Sequence, residues 1–523
     1  MKNSGTNKLK EFFFKNYKLL LLFCGLTLLN VFFLCWSFRT NNLTFGKTFI
    51  IMLLGSLLLE IILCLIILIA QKKSWKIEKT FLVLGLIIGI LYVFALPIGR
   101  APDEESHFFR VYELSNGHFV SDLSENGKAG SFEASNIEII RDFKENNTTY
   151  NETIENLGLY PNEEEQTFVR TSAYSYNIFS YLPHVTGMTI GKIFNFPLLV
   201  TAYLAKIFNF ITCLLILYFS IKYIPILKKI IFFIGLLPIT MQAMTSLSPD
   251  GLVISMSIAL ISFVLYSIYT LKSNLSKKQL GLISLICLFV SMGKIAYSPL
   301  CLLLFAIPKE RFGGKNKKIL SILAIGTIVF MILLTWIIIA PSLQSSKDPS
   351  TQISLITSNP FEYLAILINS ISANASMYLS GFLGGYLEWF NIVLSPIYIY
   401  TAFTIFVLLC KEASQSYSIT KIFKALSIII FTMITLLTFT TMFIQWTKVG
   451  ETVIDGVQGR YFLPIALLIP TWFLSISGNA KPSLNSQSQH PKHHQRIPQN
   501  YYLYGFLIFE SIYAITTIAC SHL

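Results

Sequence analysis

The sequence predicts an all-α polytopic membrane protein, and the prediction rests on composition, on apolar runs and on the placement of charge. Of the 523 residues, 54% are hydrophobic and only 13% are charged, whereas a soluble domain carries roughly 25% charged residues. Continuous apolar runs of about 20 residues, the length that crosses a bilayer, recur along most of the chain. These features exclude a soluble enzyme, a disordered chain and a secreted disulfide scaffold. They also exclude a transmembrane β-barrel, because its strands would alternate in polarity.

The net charge of +13 is unevenly distributed. Residues 101–180 hold 15 of the 27 acidic residues and 5 of the 40 basic residues, so this segment alone carries a charge of −10. The remaining basic residues lie mostly in short loops between apolar runs, which is typical of cytoplasmic loops. The positive charge therefore indicates topology, and no nucleic-acid partner is expected.

About thirteen spans are predicted from the apolar runs and the loops that separate them. In chain order they lie at about 17–38, 48–70, 80–99, 197–221, 230–247, 251–270, 280–293, 296–308 and 319–341, in a run that ends at Lys411, at about 423–444, in a run after residue 459, and at about 501–520. Lysines before the first span and between residues 72 and 79 place the N-terminus in the cytoplasm. Residues 100–180 are then extracytoplasmic, and the expected location is the plasma membrane.

This pattern divides the chain into four parts. They are two N-terminal spans with basic cytoplasmic loops (1–79), a membrane domain that carries the large acidic loop (80–475), a polar cytoplasmic linker (476–500) and a last span (501–523). The acidic loop is expected to carry juxtamembrane helices, and residues 342–385 form a second outer loop. The apolar stretch 178–194 is short and contains Pro183, which predicts a helix lying at the outer membrane surface.

The segment that directly follows the third span, residues 100–117, is the sharpest chemical feature. Pro102 and Asp103 begin a predicted helix over about 104–115, which Gly117 ends. Helical spacing places Asp103, His107 and Arg110 on one face. A carboxylate in this position can act as a general base toward a hydroxyl, and an arginine can hold a phosphate. Helix capping by the acidic residues is an equally good explanation of the motif.

Two later positions predict phosphate binding. Lys294 lies between two short apolar runs, and a lysine at membrane depth is costly unless a ligand or partner satisfies it. The alternative is that its ammonium reaches the interfacial water. Arg460 and Tyr461 follow two glycines at the outer end of a late span, where a guanidinium can grip a phosphate in a fork. The alternative for this pair is an interfacial anchor.

Four further residues are secondary candidates. Asp250 follows Ser248-Pro249 at the start of a span, and a helix cap is favoured there over a second catalytic acid. Tyr176, Tyr181 and His184 could stack on a sugar ring or line a path to the site, although an interfacial aromatic belt is the favoured interpretation of such residues.

The motif Pro102-Asp103-Glu104, followed by His107-Phe108, resembles the first-loop motif of the C-type glycosyltransferases, which are multispan enzymes that use polyprenyl-phosphate sugars. More narrowly, the chain resembles a bacterial membrane family classed as a domain of unknown function. The resemblance covers about residues 80–475. It rests on this motif and, in order, on the segments Tyr176 to Pro183, Ser246 to Asp250, Gly293-Lys294 and Gln458 to Pro464.

The resemblance implies an inverting sugar transfer at the outer face of the membrane. Asp103 would be the base toward the acceptor hydroxyl, and Glu104 would help to place the acceptor or a cation. No cofactor is assured, but if a divalent cation, Mg²⁺ or Mn²⁺, takes part, Asp103 and Glu104 would hold it. The residues expected to bind substrate or lipid phosphate are His107, Arg110, Lys294, Arg460 and Tyr461. The expected partners are a polyprenyl-phosphate-linked sugar donor, a cell-surface or cell-wall glycan acceptor and membrane lipids.

Two alternatives of other classes stay open at this point. One is a transporter or flippase of lipid-linked sugars, although such proteins usually show repeated halves and none is evident here. The other is a non-catalytic membrane partner in surface polysaccharide assembly.

Overall fold

The computed structural model describes residues 3–146, 148–340, 349–477 and 501–523. The protein is an all-α polytopic membrane protein, as the composition predicts. In the described ranges, nine helices are long and apolar enough to cross a membrane. The predicted linker 476–500 lies outside these ranges from residue 478 onward.

The α-helices are named in chain order. They are α1 (Asn3–Thr40), α2 (Lys47–Lys72), α3 (Ile77–Ala95), α4 (Glu104–Ser115), α5 (Ile139–Glu145), α6 (Tyr150–Glu155), α7 (Ile178–Ile193), α8 (Leu198–Tyr223), α9 (Lys228–Leu236), α10 (Pro238–Met244), α11 (Asp250–Tyr269), α12 (Lys277–Gly293), α13 (Lys315–Ile339), α14 (Pro349–Ser358), α15 (Pro360–Phe382), α16 (Pro396–Ser416), α17 (Lys421–Gln445) and α18 (Tyr501–Ser521).

Short strands and 3₁₀ segments complete the described structure. The strands are β1 (Asp122–Leu123), β2 (Ala129–Ala134), β3 (Gln166–Arg170), β4 (Tyr386–Leu387), β5 (Ile392–Val393), β6 (Ser418–Thr420) and β7 (Ser475–Ser477), and the 3₁₀ segments are Ser135–Glu138, Ile295–Ala306, Lys309–Phe312 and Gly459–Phe473.

The nine membrane-spanning helices (α1, α2, α3, α8, α11, α13, α16, α17 and α18) match nine of the thirteen predicted spans. The other four predicted spans are not continuous α-helices of spanning length. The run 230–247 breaks at Leu237-Pro238 into α9 and α10, and the run 280–293 is the 17-residue helix α12. The runs after residues 294 and 458 are 3₁₀ segments.

Proline explains three of these four departures. Pro238 begins a new helix, Pro299 lies inside one long 3₁₀ segment, and Pro464 and Pro470 lie inside the other. A proline lacks the amide hydrogen that an α-helix interior requires, so the chain breaks or tightens there. At about 2.0 Å per residue, the 15 residues of Gly459–Phe473 still extend about 30 Å.

The predicted outer loop 342–385 contains two helices in its described part, α14 and the 23-residue helix α15, and its location outside the membrane stays a prediction. Asn359 caps α15 by accepting a hydrogen bond from the amide of Glu362, and Pro360 occupies its first position. The sequence prediction missed α15 because small polar residues interrupt its apolar pattern.

The acidic segment folds into a small group of helices and strands that packs next to the membrane helices. The predicted helix over 104–115 is confirmed as α4. Strands β1, β2 and β3 form an antiparallel sheet in which Phe132 lies opposite Phe168. The helix predicted over 178–194 is confirmed as α7, which continues through Pro183 and packs along α8 and across α4. Its position at the membrane surface stays a prediction.

Helices α1, α2 and α18 pack together, and α18 also contacts α3 and α9. The rings of Phe33 in α1 and Tyr513 in α18 lie 4.3 Å apart between centroids. The last span is therefore joined to the first two spans as well as to the central bundle.

Gly459 allows the 3₁₀ segment Gly459–Phe473 to lie directly against α15. A Cβ atom at Gly459 would fall inside the contact distance of the Tyr378 carbonyl oxygen and the Phe382 amide nitrogen. We expect Gly459→Ala to destabilise the protein by about 1–3 kcal/mol through overpacking, measured as a lower unfolding temperature in detergent. Gly326→Ala in α13 is the matched control, because a Cβ there meets nothing within 4 Å. Equal unfolding temperatures for the two variants would contradict this packing.

Candidate active site

A cavity of about 360 Å³ lies where several membrane segments begin or break. It is built by the turn before α4, the segment before α7, the start of α11, the junction of α12 with Ile295–Ala306, the start of Gly459–Phe473, and one side each of α13 and α17. Its lining residues are Asp103, His107, Ser175, Tyr176, Asn177, Ser248, Asp250, Met292, Gly293, Lys294, Ile295, Ala296, Tyr297, Leu333, Trp336, Thr438, Thr441, Met442, Gln445, Arg460 and Tyr461.

Four charged side chains form a continuous chain in this cavity. Lys294 Nζ lies 2.6 Å from Asp250 Oδ1, and Arg460 lies 3.5 Å from Asp250 Oδ2 through one terminal nitrogen. The other terminal nitrogen of Arg460 lies 3.5 Å from Asp103 Oδ2. Two cations and two anions balance, so these four side chains together carry no formal net charge. The side chain of Asp103 is 44% exposed, whereas that of Asp250 is 11% exposed.

Each of three charged residues stands at the beginning of a membrane segment. Asp250 is the first residue of α11, Lys294 precedes Ile295–Ala306, and Arg460 is the second residue of Gly459–Phe473. Amide groups at the first turn of a helix lack partners within it and carry partial positive charge. The three segment ends therefore make this side of the cavity favourable for an anion.

Asp103 does not cap α4, although capping was one interpretation of the sequence. Its side chain makes no cap hydrogen bond, and its backbone is left-handed, with φ of 59°. Aspartate tolerates this conformation better than most residues, and here it turns the carboxylate into the cavity. Burial raises the pKa of Asp103, while the guanidinium of Arg460 opposes that rise.

Asp250 does not act as the helix cap that the sequence favours. Pro249 occupies the N-cap position of α11, and the Asp250 carboxylate contacts Lys294 and Arg460. The hydroxyl of Ser248 accepts the hydrogen bond from the Asp250 amide. Asp250 is therefore a central member of the charged site.

His107 lines the cavity and is held by Tyr181. The two side chains share a hydrogen bond of 2.5 Å between Nδ1 and the tyrosine hydroxyl. Burial lowers the pKa of His107 to about 3, so the imidazole is neutral at physiological pH. A neutral imidazole can offer a hydrogen bond to a ligand but no positive charge.

Tyr461 and Tyr176 also belong to the cavity wall. The Tyr461 ring lies 4.8 Å from Lys294 Nζ and 5.4 Å from the guanidinium carbon of Arg460. Such cation–π contacts hold both basic side chains in place. Tyr297 adds a second restraint by donating its hydroxyl to the Tyr461 carbonyl at 2.8 Å.

Glu104 does not reach the cavity, which overturns its predicted role as a ligand for the acceptor or a cation. The side chain is fully buried. One carboxylate oxygen accepts hydrogen bonds from the amides of Gly99 and Ala101, and the other accepts from the amide of Leu247 and lies 3.8 Å from Lys206 Nζ. Glu104 therefore anchors the turn that presents Asp103.

Arg110 is also a structural residue and not a phosphate ligand. Its fully buried guanidinium donates to Glu113, Ser121 and the Phe119 carbonyl, and its Nε donates to the Tyr176 carbonyl. Every guanidinium nitrogen is thereby occupied. Arg110 shares a helix with His107, but α7 and the acidic segment cover that part of the helix.

The two other secondary candidates lie behind the cavity wall. Tyr181 is fully buried and contacts the site only through His107. His184 is also fully buried, and its Nε2 shares a hydrogen bond of 3.1 Å with the Ser246 carbonyl. Burial lowers the pKa of His184 to about 4. Neither side chain is available to stack on a sugar.

The predicted cation site at Asp103 and Glu104 does not fit the structure, because the oxygens of Glu104 are already committed to backbone amides and Lys206. Among the described residues, no group of three or more histidine, cysteine, aspartate or glutamate side chains could hold a metal ion.

Several cavity residues were missed by the sequence prediction. Trp336 in α13 donates its indole N–H to the Ser175 carbonyl at 2.7 Å, and Asn177 donates to the Met292 carbonyl at 3.0 Å. These bonds fasten the segment before α7 to two other walls. Tyr297 could have been noticed because it follows Lys294 by three residues, but Trp336 carries no local signal.

A second buried network supports the turn at Asp103 from the side of the last span. Arg100 pairs with Glu388 at 3.0 Å, and Glu388 also bonds His522 at 2.5 Å. Arg100 additionally donates to the Lys144 carbonyl at 3.2 Å. The end of α18 is thus connected to the residue three positions before Asp103.

The family model described as "Predicted membrane protein (DUF2142)" matches residues 86–469, which is more than half of the chain. The chain belongs to the DUF2142 family. The predicted membership of a multispan family of unknown function is therefore confirmed. No curated protein and no solved structure matches the chain.

The DUF2142 match contains every residue that lines the cavity. Helices α1, α2 and α18 lie outside it, and so does His522. The site is therefore formed by the part of the chain that defines the family. The C-terminal flanking segment supports it through the hydrogen bond from His522 to Glu388.

Replacing Glu104 should lower the stability of the protein, whereas replacing Asp103 should not. Glu104→Gln leaves Lys206 buried without its counter-charge and points an amide donor toward backbone donors, which should cost about 3–5 kcal/mol. The raised pKa of Asp103 means that its ionised form weakens folding at neutral pH, so Asp103→Asn should not lower stability. Unfolding temperatures in detergent would check both. A Glu104→Gln variant as stable as the wild type would contradict the anchoring role.

Proposed function

We propose that this DUF2142 protein is a membrane glycosyltransferase. It moves a sugar from a polyprenyl-phosphate carrier to a cell-surface or cell-wall glycan at the outer face of the plasma membrane. The observation that carries the proposal is one cavity in which an exposed carboxylate, Asp103, stands beside a lysine–arginine pair, Lys294 and Arg460. Inverting transfer from a phosphate leaving group needs a base close to a phosphate site, and Asp103 lies 3.5 Å from Arg460.

The basic pair provides the phosphate site. Lys294 and Arg460 both contact Asp250, so a phosphate placed between them would meet both cations at once. Arginine offers two parallel donors to phosphate oxygens, and lysine adds a point charge. The starts of three membrane segments, which carry partial positive charge, reinforce the same preference for an anion.

Asp103 provides the base. Asp103 and Asp250 contact the two different terminal nitrogens of the Arg460 guanidinium. Asp103 is the most exposed of the four charged groups. In the proposed reaction, the carboxylate takes the proton of the acceptor hydroxyl while that oxygen bonds to the anomeric carbon. The bond from this carbon to the phosphate oxygen breaks, and the polyprenyl phosphate leaves on Lys294 and Arg460. Attack opposite the leaving phosphate inverts the anomeric centre.

Aromatic and neutral polar groups suit the sugar. Tyr176, Tyr297, Trp336 and Tyr461 line the cavity, and aromatic faces of this kind pack against sugar rings. His107 stays neutral, so its role is a hydrogen bond to a hydroxyl group rather than the phosphate contact expected from the sequence.

The membrane-facing wall suits a polyprenyl chain. Leu333 of α13 and Met442 of α17 line the cavity. Among the described residues, these two helices do not pack closely against each other. The neighbouring apolar side chains Ile337 and Leu437 are 57% and 41% exposed. An isoprenoid tail leaving the cavity between α13 and α17 would meet apolar surface along its path.

Loss of the Asp103 carboxylate should abolish the transfer in cells. In a host that lacks this protein, wild type should restore a missing glycan substituent and Asp103→Asn should not, because removal of a general base costs about 10²–10⁴ in rate. Surface glycans would be compared by mass spectrometry at matched membrane expression. Asp122→Asn is the control, since Asp122 is an exposed acid on β1 in the same segment. Full restoration by Asp103→Asn would favour transport or a non-catalytic partner role.

Transfer should rise with pH through one ionisation. Asp103 acts only when deprotonated, and its raised pKa shifts this limb above the value of about 3.9 for a free aspartate. His107, with a pKa of about 3, should add no limb between pH 5 and 8. Rates in membrane vesicles, measured with the sugar donor that the glycan comparison identifies, would show this. An acid limb that disappears in His107→Gln would contradict its assignment to Asp103.

A further inference from the structure

The proposed phosphate site is already occupied by a protein carboxylate. Asp250 contacts Lys294 at 2.6 Å and Arg460 at 3.5 Å, each through a different oxygen. A phosphate bound between the two cations would present two oxygens to the same two partners. Asp250 therefore stands in the place, and has the charge, of a ligand phosphate.

Asp250 cannot move far from this position. It begins the long helix α11, its amide is bonded to Ser248, and its side chain is 11% exposed. A phosphate that binds Lys294 and Arg460 must therefore share them with a carboxylate that stays close. The repulsion between like charges at such short range grows with the charge on the phosphate.

Donor and product differ in this charge. A polyprenyl-phosphate sugar is a phosphodiester with one negative charge. The polyprenyl phosphate that leaves is a monoester, which carries between one and two negative charges near neutral pH because its second pKa is about 6. Two unopposed cations would favour the more highly charged product and retain it.

We propose that Asp250 is an internal counter-ion that makes the Lys294–Arg460 site select a lipid phosphodiester over the corresponding monoester, and so helps to release the product. This inference rests on the proposed function, because it assumes that the pair binds a lipid phosphate. Asp250 is a specificity-determining residue in this account, and Asp103 remains the base.

Binding of two short lipid probes to the purified full-length protein tests the proposal. Farnesyl phosphate is the monoester, farnesyl methyl phosphate is the diester, and farnesol is the uncharged control, all measured at pH 8 where the monoester is a dianion. Wild type should bind the diester at least as tightly as the monoester. Asp250→Asn should bind the monoester on the order of tenfold more tightly than wild type, with a smaller gain for the diester.

Two further variants separate charge from structure. Asp250→Glu keeps the negative charge and should keep the wild-type preference, whereas Lys294→Met should weaken both phosphate probes. Asp122→Asn makes the same chemical change on exposed β1 and should alter neither affinity. If Asp250→Asn does not fold, a wild-type preference for the monoester would still overturn the proposal.

The outcomes distinguish this inference from the proposed function. A wild-type protein that prefers the monoester tenfold, or an Asp250→Asn variant that gains no more than Asp122→Asn, overturns the counter-ion role. The phosphate site still stands in that case if Lys294→Met loses binding. Failure of both phosphate probes to bind wild type and Asp250→Asn, or equal binding of farnesol, overturns the counter-ion role and the lipid-phosphate donor together.

Discussion

The ion pairs that run from Lys294 through Asp250 and Arg460 to Asp103 are the constraint on which the structure around the cavity depends. Charged groups that are largely removed from water are costly unless they are paired. Each of the first three stands at a break in a membrane segment, and the breaks are what bring them together. A bundle of thirteen continuous helices would satisfy the hydropathy pattern and would leave no such opening.

The residues around Asp103 serve mainly to hold it. Glu104 gathers three backbone amides and Lys206, and Arg110 fixes the segment that carries Tyr176. From the other side, Glu388 and His522 restrain Arg100. Buried neighbours on both sides thus fix the left-handed turn that exposes the Asp103 carboxylate. Backbone strain of this kind is found mainly at functional sites.

Seven cavity residues could be recognised as site candidates from the sequence, namely Asp103, His107, Tyr176, Asp250, Lys294, Arg460 and Tyr461. The roles of some candidates were assigned wrongly. Asp250 was favoured as a cap, and Glu104 and Arg110 were favoured as ligands. Helical spacing correctly puts Arg110 on the side of His107, but spacing does not reveal that another helix covers that side. A polar residue near a helix start looks the same in sequence whether it caps the helix or pairs with a distant cation.

The sequence by itself determined the membrane class, nine of the thirteen spans that it predicted, the helix over 104–115 and the concentration of acid in one segment, because hydropathy, periodicity and capping are local properties. Only the tertiary structure decided which charged residues meet. Asp103 and Arg460, which contact each other, lie 357 positions apart in the chain, and no local pattern encodes their contact. Packing of broken segments against α8, α15 and α17 sets that geometry, and it alone distinguishes an accessible carboxylate from a buried one.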